Sequence, residues 1–414
     1  MILVISSHIT NRFEYVLDFI KDCYPELNFQ IANSIDDIDM KDEDIVIEYN
    51  PSQTVKKSIF FEPCGLLEST EIKVIDSTWD AAIQVPKAFV NSSMMGYDVF
   101  ASIFFQLTRY EEYIVSELDT FGRFDSAKAI HVQANKELDP LVDLQVQEFL
   151  KLIAKQHPSF TYSTPKGSTK ATMDIDIAYD YLGRSFLRGM GAFAKNIFNP
   201  RKLAERIAVL IRLKKDPAYI FNDLIDLDIR YFIHVGDYGP LDKSCGLSRK
   251  EYQAFLQALT TENIGLHPSF QSHLNLDELL FEMEQLETIA DQNISQSRQH
   301  FIKMILPDTY ELLLQIGIQK DYSMGWPDRP GYRAGTTHPH YFFNLKTNQQ
   351  TELQVVPFCW MDTHFLFGNT SHDMQKLFGQ FQKQHMELGG SFRPIFHNNH
   401  FKDHPILWEL IRKF

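Results

Sequence analysis

Cysteine is scarce in this chain of 414 residues, which contains only Cys23, Cys64, Cys245 and Cys359. These residues lie far apart and form no Cys-x-x-Cys pair, so we expect neither a disulfide framework nor a thiolate metal site. Long apolar runs are also missing, and no stretch approaches the roughly 20 apolar residues of a membrane-spanning helix. Residues 1–8 lack the basic start and the apolar length of a signal peptide. We therefore expect a cytoplasmic protein.

Positive charge is in deficit as well. The formal net charge is -14, which argues against a non-specific nucleic-acid binder, because phosphates attract basic surfaces. The first 165 residues contain no Gly-x-Gly-x-x-Gly loop and no Walker motif, so no nucleotide site is expected there. Hydrophobic residues make up 44% of the chain, close to the roughly 45–50% of globular proteins. The composition thus predicts a folded protein of two or three domains, at roughly 100–200 residues each.

Two α/β domains are predicted, 1–165 and 166–414. In the first, the apolar pattern predicts a helix over residues 94–118 and another over 141–154. The boundary segment 159–170 is rich in Ser, Thr, Pro, Gly and Lys, which is typical of a loop. In the second domain, short apolar strands alternate with helical stretches, a pattern that implies parallel βαβ units. The predicted strands begin near Ala171, Tyr231, Ile264, Arg298, Ile318, Gln354 and Arg393.

About seven such units predict a distorted (β/α) barrel of about seven strands, closed or nearly closed, after the smaller N-terminal α/β domain. An open doubly wound sheet is the alternative. In a barrel of this kind, residues at the C-terminal ends of the strands face the active site. The chemistry is therefore sought at the strand ends.

Two acids end the first strand of the second domain, at Asp174 and Asp176. Side chains two residues apart in a strand point to the same side. Two carboxylates on one side repel each other unless a cation or a proton lies between them. A metal ligand beside a general base satisfies that requirement, although a solvated strand end or a helix cap would need no such role.

Histidines and an arginine mark three other predicted strands. His267 ends the apolar strand that begins at Ile264, and His397 follows the strand near the chain's end. Arg298 and His300 share one side of a further strand by the same two-residue period. Such an arginine could orient a carboxylate or hold substrate, and each residue could equally serve an ordinary internal hydrogen bond or ion pair. Together with the two acids, these residues form the layout of a hydrolytic metal site on a barrel.

With these motifs the second domain resembles the polysaccharide deacetylase (NodB-homology) family, also called carbohydrate esterase family 4. The two acids resemble the family's first motif, which implies that Asp174 is the catalytic base and Asp176 a metal ligand. The resemblance likewise implies that His267 is the first metal histidine and His397 the general acid. Arg298 falls where the family has its substrate-groove arginine motif.

More narrowly, the chain resembles a two-domain subgroup of that family. The subgroup's N-terminal domain carries a segment like residues 104–113 (FFQLTRYEEY), and its deacetylase-like domain carries segments like 265–269 (GLHPS) and 328–336 (DRPGYRAGT). With that subgroup the resemblance covers nearly the whole chain.

The segment 328–336 could cover the mouth of the site. It contributes Arg329 and Arg333, and the nearby Trp326 could stack on the face of a sugar.

One position departs from the family pattern. The family's second metal histidine lies four residues after the first, and here that position holds Gln271. A catalytic zinc site needs three protein ligands and an open position for water, so the third ligand must come from elsewhere. His300 is the candidate, and His273 is the next.

These expectations combine into a metal-dependent hydrolase that removes an acetyl group from an N-acetylated sugar or saccharide precursor. Its cofactor is expected to be a divalent metal, namely zinc, and no nucleic-acid partner is expected. The expected metal ligands are Asp176, His267 and His300, and the expected catalytic residues are Asp174, Arg298 and His397. The alternatives are a degenerate relative that binds glycan or lipid-linked sugar, and a hydrolase of another carbon–nitrogen bond or of an ester.

Overall fold

The computed structural model describes residues 1–37, 44–76, 78–183, 199–366 and 373–414. Across these residues, no helix has the length and apolar character needed to cross a bilayer. The two largest hydrophobic clusters draw mainly on residues 2–153 and on residues 171–411. The division between residues 165 and 166 stays a prediction.

Four parallel strands form the centre of the N-terminal part: β1 (Ile2–Ile5), β2 (Phe29–Ala32), β3 (Ile45–Tyr49) and β4 (Ile59–Phe61). They pair in the order β2–β1–β3–β4. A short antiparallel pair follows, β5 (Trp79–Asp80) and β6 (Val85–Pro86). The helices are α1 (Asn11–Cys23), α2 (Val99–Leu107), α3 (Ile130–Gln133) and α4 (Leu141–Gln156).

Aromatic side chains join these helices in one core. Phe13 of α1, Phe100 of α2 and Phe149 of α4 are fully buried. The ring of Phe100 meets each of the other two edge-on, at 5.3 and 5.5 Å between centroids, an arrangement that aromatic pairs favour. The core therefore ties the predicted amphipathic helices together.

The helix predicted over residues 94–118 is shorter in the structure. It ends at Leu107, because Arg109 takes a left-handed backbone conformation with φ of 52° and a 3-10 turn follows at Tyr110–Tyr113. This turn brings Glu112 within 2.8 Å of the Arg109 guanidinium. Glu112 also lies 2.6 Å from Arg333, so the end of the helix serves a buried ion cluster that connects the two parts of the chain.

An eight-stranded sheet forms the centre of the C-terminal part. The strands described in this part, including two that lie outside the sheet, are β7 (Ser168–Thr169), β8 (Ala171–Ile175), β9 (Ile229–Ile233), β10 (Ile264–Leu266), β11 (Gln296–Ser297), β12 (Lys320–Asp321), β13 (His340–Asn344), β14 (Gln349–Val355), β15 (Ser391–Phe392) and β16 (Ile395–His397). The order in the sheet is β13–β14–β12–β11–β10–β9–β8–β16. Seven strands run parallel, and β13 pairs antiparallel with β14. Strands β7 and β15 form a separate parallel pair.

Helices and short 3-10 turns connect these strands. The helices are α5 (Pro200–Leu210), α6 (Lys250–Ala258), α7 (Leu276–Ala290), α8 (Asp308–Gln315), α9 (Thr363–Leu366), α10 (Met374–Leu388) and α11 (Ile406–Ile411). Across the described ranges of both parts, 3-10 turns lie at Ile35–Asp37, Lys87–Phe89, Tyr110–Tyr113, Ser126–Lys128, Phe221–Asp223, Ser272–Leu274, His300–Ile302 and Asn398–His400.

The expected barrel is not closed by a ladder of strands. Among the described residues, β16 and β13 stand at opposite ends of the sheet order. The gap beside β16 is spanned by the extended segment after β14, through a single bridge between Met361 and Ile395. The Ile395 N–H donates to the Trp360 carbonyl, and its carbonyl accepts from the Asp362 N–H. The predicted count of about seven parallel strands is therefore present, without a closed ladder.

Candidate metal centre

The predicted polar residues meet at one edge of the eight-stranded sheet, because its parallel strands all end there. Asp174 lies in β8, and Asp176 follows that strand directly. The Cα partner of Asp174 in β16 is His397. His267 follows β10, and its N–H donates to the carbonyl of Ile233 at the end of β9. The strand register thus places Asp174 beside His397, and it brings His267 to the same edge of the sheet.

Strand β11 lies before the strand predicted to begin near Arg298. It ends at Ser297, so Arg298 and His300 lie in the segment after it rather than within a strand. Phe301 and Ile302, the next two residues, have left-handed backbones with φ of 57° and 53°. Such conformations are costly for residues with side chains and cluster at functional sites. The turn aims His300 back toward β8.

Three side chains from different elements converge on one point: Asp176, His267 and His300. Their donor atoms lie within 4.8 Å of one another. The Nε2 atom of His267 is 3.2 Å from Asp176 Oδ1, and the Nε2 atom of His300 is 3.7 Å from Asp176 Oδ2. With bonds of about 2.0–2.2 Å, neighbouring ligand atoms of a tetrahedral zinc ion lie about 3.4 Å apart. The three residues therefore have the chemistry and the spacing of a metal-ligand set.

Both histidines have their other ring nitrogen occupied. His267 Nδ1 lies 2.5 Å from the Arg298 carbonyl oxygen, and His300 Nδ1 lies 2.9 Å from Asp242 Oδ1. Because both partners are acceptors, each Nδ1 carries the proton and donates it. Each Nε2 then faces the Asp176 carboxylate with a lone pair, which is repulsive unless a cation or a proton lies between them. Outer partners of this type orient metal-binding histidines in proteins.

The pKa shifts of Asp176 and His300 are consistent with a cation-binding site. Burial of Asp176 raises its pKa, but the charge of His300 and the contacts with both histidines outweigh it, so the pKa lies well below its usual range. Burial of His300 lowers its pKa, but the attraction of Asp176 and Asp242 raises it to about 9. In the metal-free protein a proton on His300 thus balances the carboxylates, and a divalent ion would replace it.

Asp174 is held by an arginine rather than by a histidine. The Nη1 atom of Arg298 donates to Asp174 Oδ1 at 2.7 Å. The other oxygen, Oδ2, is 3.9 Å from His267 Nε2. Arg298 is fully buried, its Nε donates to the Tyr322 carbonyl at 3.0 Å, and its guanidinium lies 4.3 Å from the centre of the Phe232 ring. Arg298 therefore fixes one oxygen of Asp174, while the other is directed toward the metal-ligand set.

Another buried carboxylate, Asp362, holds two further histidines of the site, His397 and His400. Asp362 Oδ1 lies 2.6 Å from His397 Nδ1, and Oδ2 lies 2.9 Å from His400 Nδ1. The His397 N–H also donates to Oδ2, at 2.9 Å. Burial lowers the pKa of His397, but the Asp362 carboxylate raises it to about 10. His397 is therefore protonated at neutral pH, with Nδ1 on Asp362 and Nε2 available to the cavity.

One cavity of about 340 Å³ connects both groups, and its lining includes Asp174, Asp176, His267, His300, His397 and His400. This volume lies near the lower end of the range of about 300–1,000 Å³ for small-molecule sites. Apolar side chains complete the walls, namely Phe121, Phe301, Ile302, Pro327 and Met361. The cavity thus offers acids and bases on one side and an apolar lining on the other.

Part of this wall comes from the N-terminal part of the chain. Phe121 and Arg123 line the cavity, and both belong to a turn at residues 119–124. Arg123 binds Asp119 at 2.6 Å and donates from Nη1 to the Phe301 carbonyl at 2.6 Å. Lys303 Nζ donates to the Phe121 carbonyl at 2.6 Å. These contacts clamp the 119–124 turn onto the strained segment that follows His300.

The expectation for Trp326 is wrong. Its side chain is fully buried, between the guanidinium groups of Arg109 and Arg333 at 5.2 and 5.4 Å from the ring centre. Arg333 is buried on Glu112, with hydrogen bonds of 2.9 and 2.6 Å. Neither residue can reach a ligand, because both fill the contact between the two parts of the chain. Pro327 is the neighbour that does line the cavity.

The structure also shows which histidine lies at the site in place of the one absent at Gln271. Gln271 is exposed, and the half-buried His273 has its Nδ1 at 3.2 Å from the Phe270 carbonyl. Among the described residues, two of the three clusters with metal-ligand spacing contain His300, and none of the three contains His273. Of the two candidates for the third ligand, the structure brings only His300 to the site.

Sequence reasoning missed the acids behind the histidines. Asp362 directly follows an apolar run that ends at Met361, so the strand-end rule could have found it. Asp242 lies between β9 and α6 in a stretch without periodicity, and no local signal marks it. His234 lies 3.7 Å from Asp242, and burial, followed by the charges of His300 and His267, lowers the pKa of His234 to about 4. It is therefore neutral at neutral pH.

Comparisons with known proteins give a limited result. Residues 2–158 match a family model described as a family of unknown function (DUF7033). No curated protein matches the sequence. A solved structure described as a polysaccharide deacetylase from Mycobacterium smegmatis is 15% identical, with 61% of this chain and 86% of that chain covered and a TM-score of 0.38. A structure described as Puue allantoinase is 13% identical, with 59% and 82% covered and a TM-score of 0.34. Both scores are below 0.5, so the functional argument depends on the geometry of the site itself.

Proposed function

We propose that this chain is a metal-dependent hydrolase that removes an acetyl group from an N-acetylated sugar or saccharide precursor. One observation carries the proposal. The Nδ1 atoms of His267 and His300 are both committed to acceptors, so both Nε2 lone pairs point at the Asp176 carboxylate. A cation at that point satisfies all three groups, as protons shared between the carboxylate and the imidazoles do in the metal-free protein.

The residues fit a divalent metal, because one carboxylate and two imidazoles are the ligands that catalytic zinc sites use. Asp176, His267 and His300 would hold it. When bound, such an ion supplies Lewis-acid activation of a carbonyl oxygen and of water. Asp242 and the Arg298 carbonyl would keep the two imidazoles in the correct tautomer and orientation.

The remaining polar residues can divide the proton transfers between them. Asp174 would accept a proton from the attacking water at Oδ2, since Arg298 holds its Oδ1. His397 would protonate the departing amine from Nε2, because Asp362 keeps its Nδ1 engaged and raises its pKa to about 10. The apolar wall at Phe121 and Phe301 would exclude water from the reacting bond.

A catalytically degenerate glycan binder is the alternative, and the absence of a histidine at Gln271 was its main support. His300 in the ligand set removes that support. The two readings differ in whether the protein holds a metal. Metal content therefore separates them before any substrate is known.

Elemental analysis of the purified, tag-free protein tests the metal site. We expect about one zinc or similar ion per chain, which is lost in His300→Ala. The matched control is His273→Ala, because this histidine lies nearby but outside the ligand set. No metal in the parent protein after incubation with zinc, cobalt or nickel would contradict the hydrolase proposal, as would equal metal content in both variants.

A second measurement tests the chemistry. Release of acetate from N-acetylglucosamine and from its oligosaccharides is followed with the zinc-loaded protein. Asp174→Asn should abolish release while the metal stays bound, because Asp174 accepts the proton and does not hold the ion. Normal turnover by this variant would remove Asp174 from the role of base.

A further inference from the structure

Residues 199–215 carry the opposite charge to the rest of the chain. They contain six basic residues and one acidic residue, in a protein whose formal net charge is -14. The segment comprises α5, which begins after the N-cap Asn199, and the turn that follows it. It lines neither the cavity nor the metal-ligand set described above. The proposed reaction therefore does not account for this segment.

Within the part of the chain that the structure describes, α5 buries two residues on one side. Arg206 and Val209 are buried. On another side, Leu203, Ile207 and Leu210 follow the i, i+4, i+7 spacing that forms a stripe on a helix. Ile207 and Leu210 are 42% and 44% exposed. Part of the apolar stripe of α5 is therefore exposed to solvent.

The turn after the helix extends this stripe. Ile211 is 60% exposed and Leu213 is 76% exposed. Arg212, Lys214 and Lys215 alternate with them or follow them directly, and all three are exposed. Scattered single apolar residues are normal on protein surfaces, but a contiguous group marks an interaction site.

The combination of features selects the kind of partner. Aliphatic side chains protrude here from a convex helix and turn, with cationic side chains beside them. An anionic bilayer accepts both, because leucine and isoleucine enter the boundary between headgroups and acyl chains while lysine and arginine stay with the phosphates. A nucleic acid would use the charges but leave the four exposed aliphatic side chains in water.

We propose that α5 and the turn at residues 211–215 dock this protein on the surface of an anionic lipid membrane. The contact is peripheral and adds no span. It is independent of the proposed hydrolase activity, because none of its residues contacts the metal-ligand set.

Vesicle flotation with the full chain tests the proposal. The two probes are vesicles of phosphatidylcholine alone and vesicles of phosphatidylcholine mixed with phosphatidylglycerol. We expect binding to the mixed vesicles only, and weaker binding at high salt because the attraction is screened. Binding to neither kind of vesicle, or equal binding to both, would overturn the proposal.

Two double variants separate charge from apolar insertion. Lys214→Gln with Lys215→Gln should weaken partitioning about thirtyfold, and the control is the exposed pair Lys56→Gln with Lys57→Gln. Ile211→Ser with Leu213→Ser should weaken it about tenfold or more, and the control is Val74→Ser, a residue that is 84% exposed.

Unchanged partitioning in both test variants would refute the assignment of this surface. A concentration-dependent dimer that Ile211→Ser with Leu213→Ser dissociates, without vesicle binding by the parent protein, would assign the stripe to a second copy instead and would equally overturn the proposal.

Discussion

The hydrogen bond between Asp362 and His397 makes a specific prediction about pH. In the parent protein, the carboxylate at 2.6 Å raises the pKa of His397 to about 10. Asp362→Asn removes that charge and keeps the shape of the side chain. Burial lowers the pKa of His397, and only the weaker effects of Asp176 and Asp174 still raise it, so the variant's value should fall toward the ordinary value of about 6.5.

The magnitude follows from the fraction of protonated His397. At pH 8, nearly all of a group with a pKa of about 10 is protonated, whereas about 3% of a group with a pKa of about 6.5 is. If His397 is the general acid, kcat/KM at pH 8 should fall by up to about thirtyfold in Asp362→Asn. The loss should be smaller at pH 6, where most of an imidazole with an ordinary pKa keeps its proton.

The assay is the pH dependence of kcat/KM for acetate release by the zinc-loaded protein. Activity should fall as the pH rises through the pKa of His397, so the alkaline limb should move down by several pH units in the variant. Asp143→Asn is the control, because Asp143 is buried on Thr336 and Thr337 outside the cavity lining. An alkaline limb that stays in place in Asp362→Asn would refute the role of His397.

The same shift has a sign for folding stability. The folded-state pKa of His397 is raised, so its contribution is fully present below about pH 6.5 and is lost as the pH rises toward about 10. Asp362→Asn should therefore lose more stability near pH 6 than near pH 10. Urea unfolding at the two pH values measures the difference.

Three further perturbations follow from the contacts. Asp242→Asn should weaken metal binding about 10–100-fold, because the carboxylate that accepts the hydrogen bond from His300 Nδ1 loses its charge. Competition with a chelator measures the affinity, and an unchanged value would contradict the role of Asp242 in orienting His300. Arg123→Ala should raise KM more than it lowers kcat, because the cavity wall is released from the Phe301 carbonyl. Arg329→Ala should have no effect on either constant, because this half-buried residue pairs with Asp328 outside the cavity lining. Glu112→Ala should cost about 3–5 kcal/mol in urea unfolding, since it leaves the buried Arg333 guanidinium without its carboxylate and leaves Arg109 with Glu111 alone; a loss below about 1 kcal/mol would contradict the ion cluster.

The strand-end residues could be predicted from the sequence because two simple periods place them. Asp174 and Asp176 follow the two-residue period of a strand, and both line the cavity. His267 and His397 follow short apolar runs, and parallel strands end at one edge of a sheet. Local pattern therefore brings these residues together without knowledge of long-range contacts. Their chemical roles stay predictions.

Other features could not be predicted, because they depend on partners distant in sequence. Asp242 gains its importance only through His300, 58 residues later. The early end of the helix predicted over 94–118 depends on the left-handed Arg109, whose guanidinium is held by Glu111, Glu112 and the Arg333 carbonyl. The closure of the barrel depends on which strands pair, which periodicity does not encode.

Two long segments are the most distinctive in the sequence, 104–113 and 328–336. In the structure they contact each other through buried ion pairs and hydrogen bonds. Arg109, Glu112 and Arg333 form one buried ion cluster across them. Buried ions of this type are costly to separate, so the cluster holds the N-terminal part against the sheet. That fixed position is what allows Phe121 and Arg123 to reach the cavity. The N-terminal part therefore contributes to the site in two ways, as a wall of the cavity and as the clamp on the segment that carries His300.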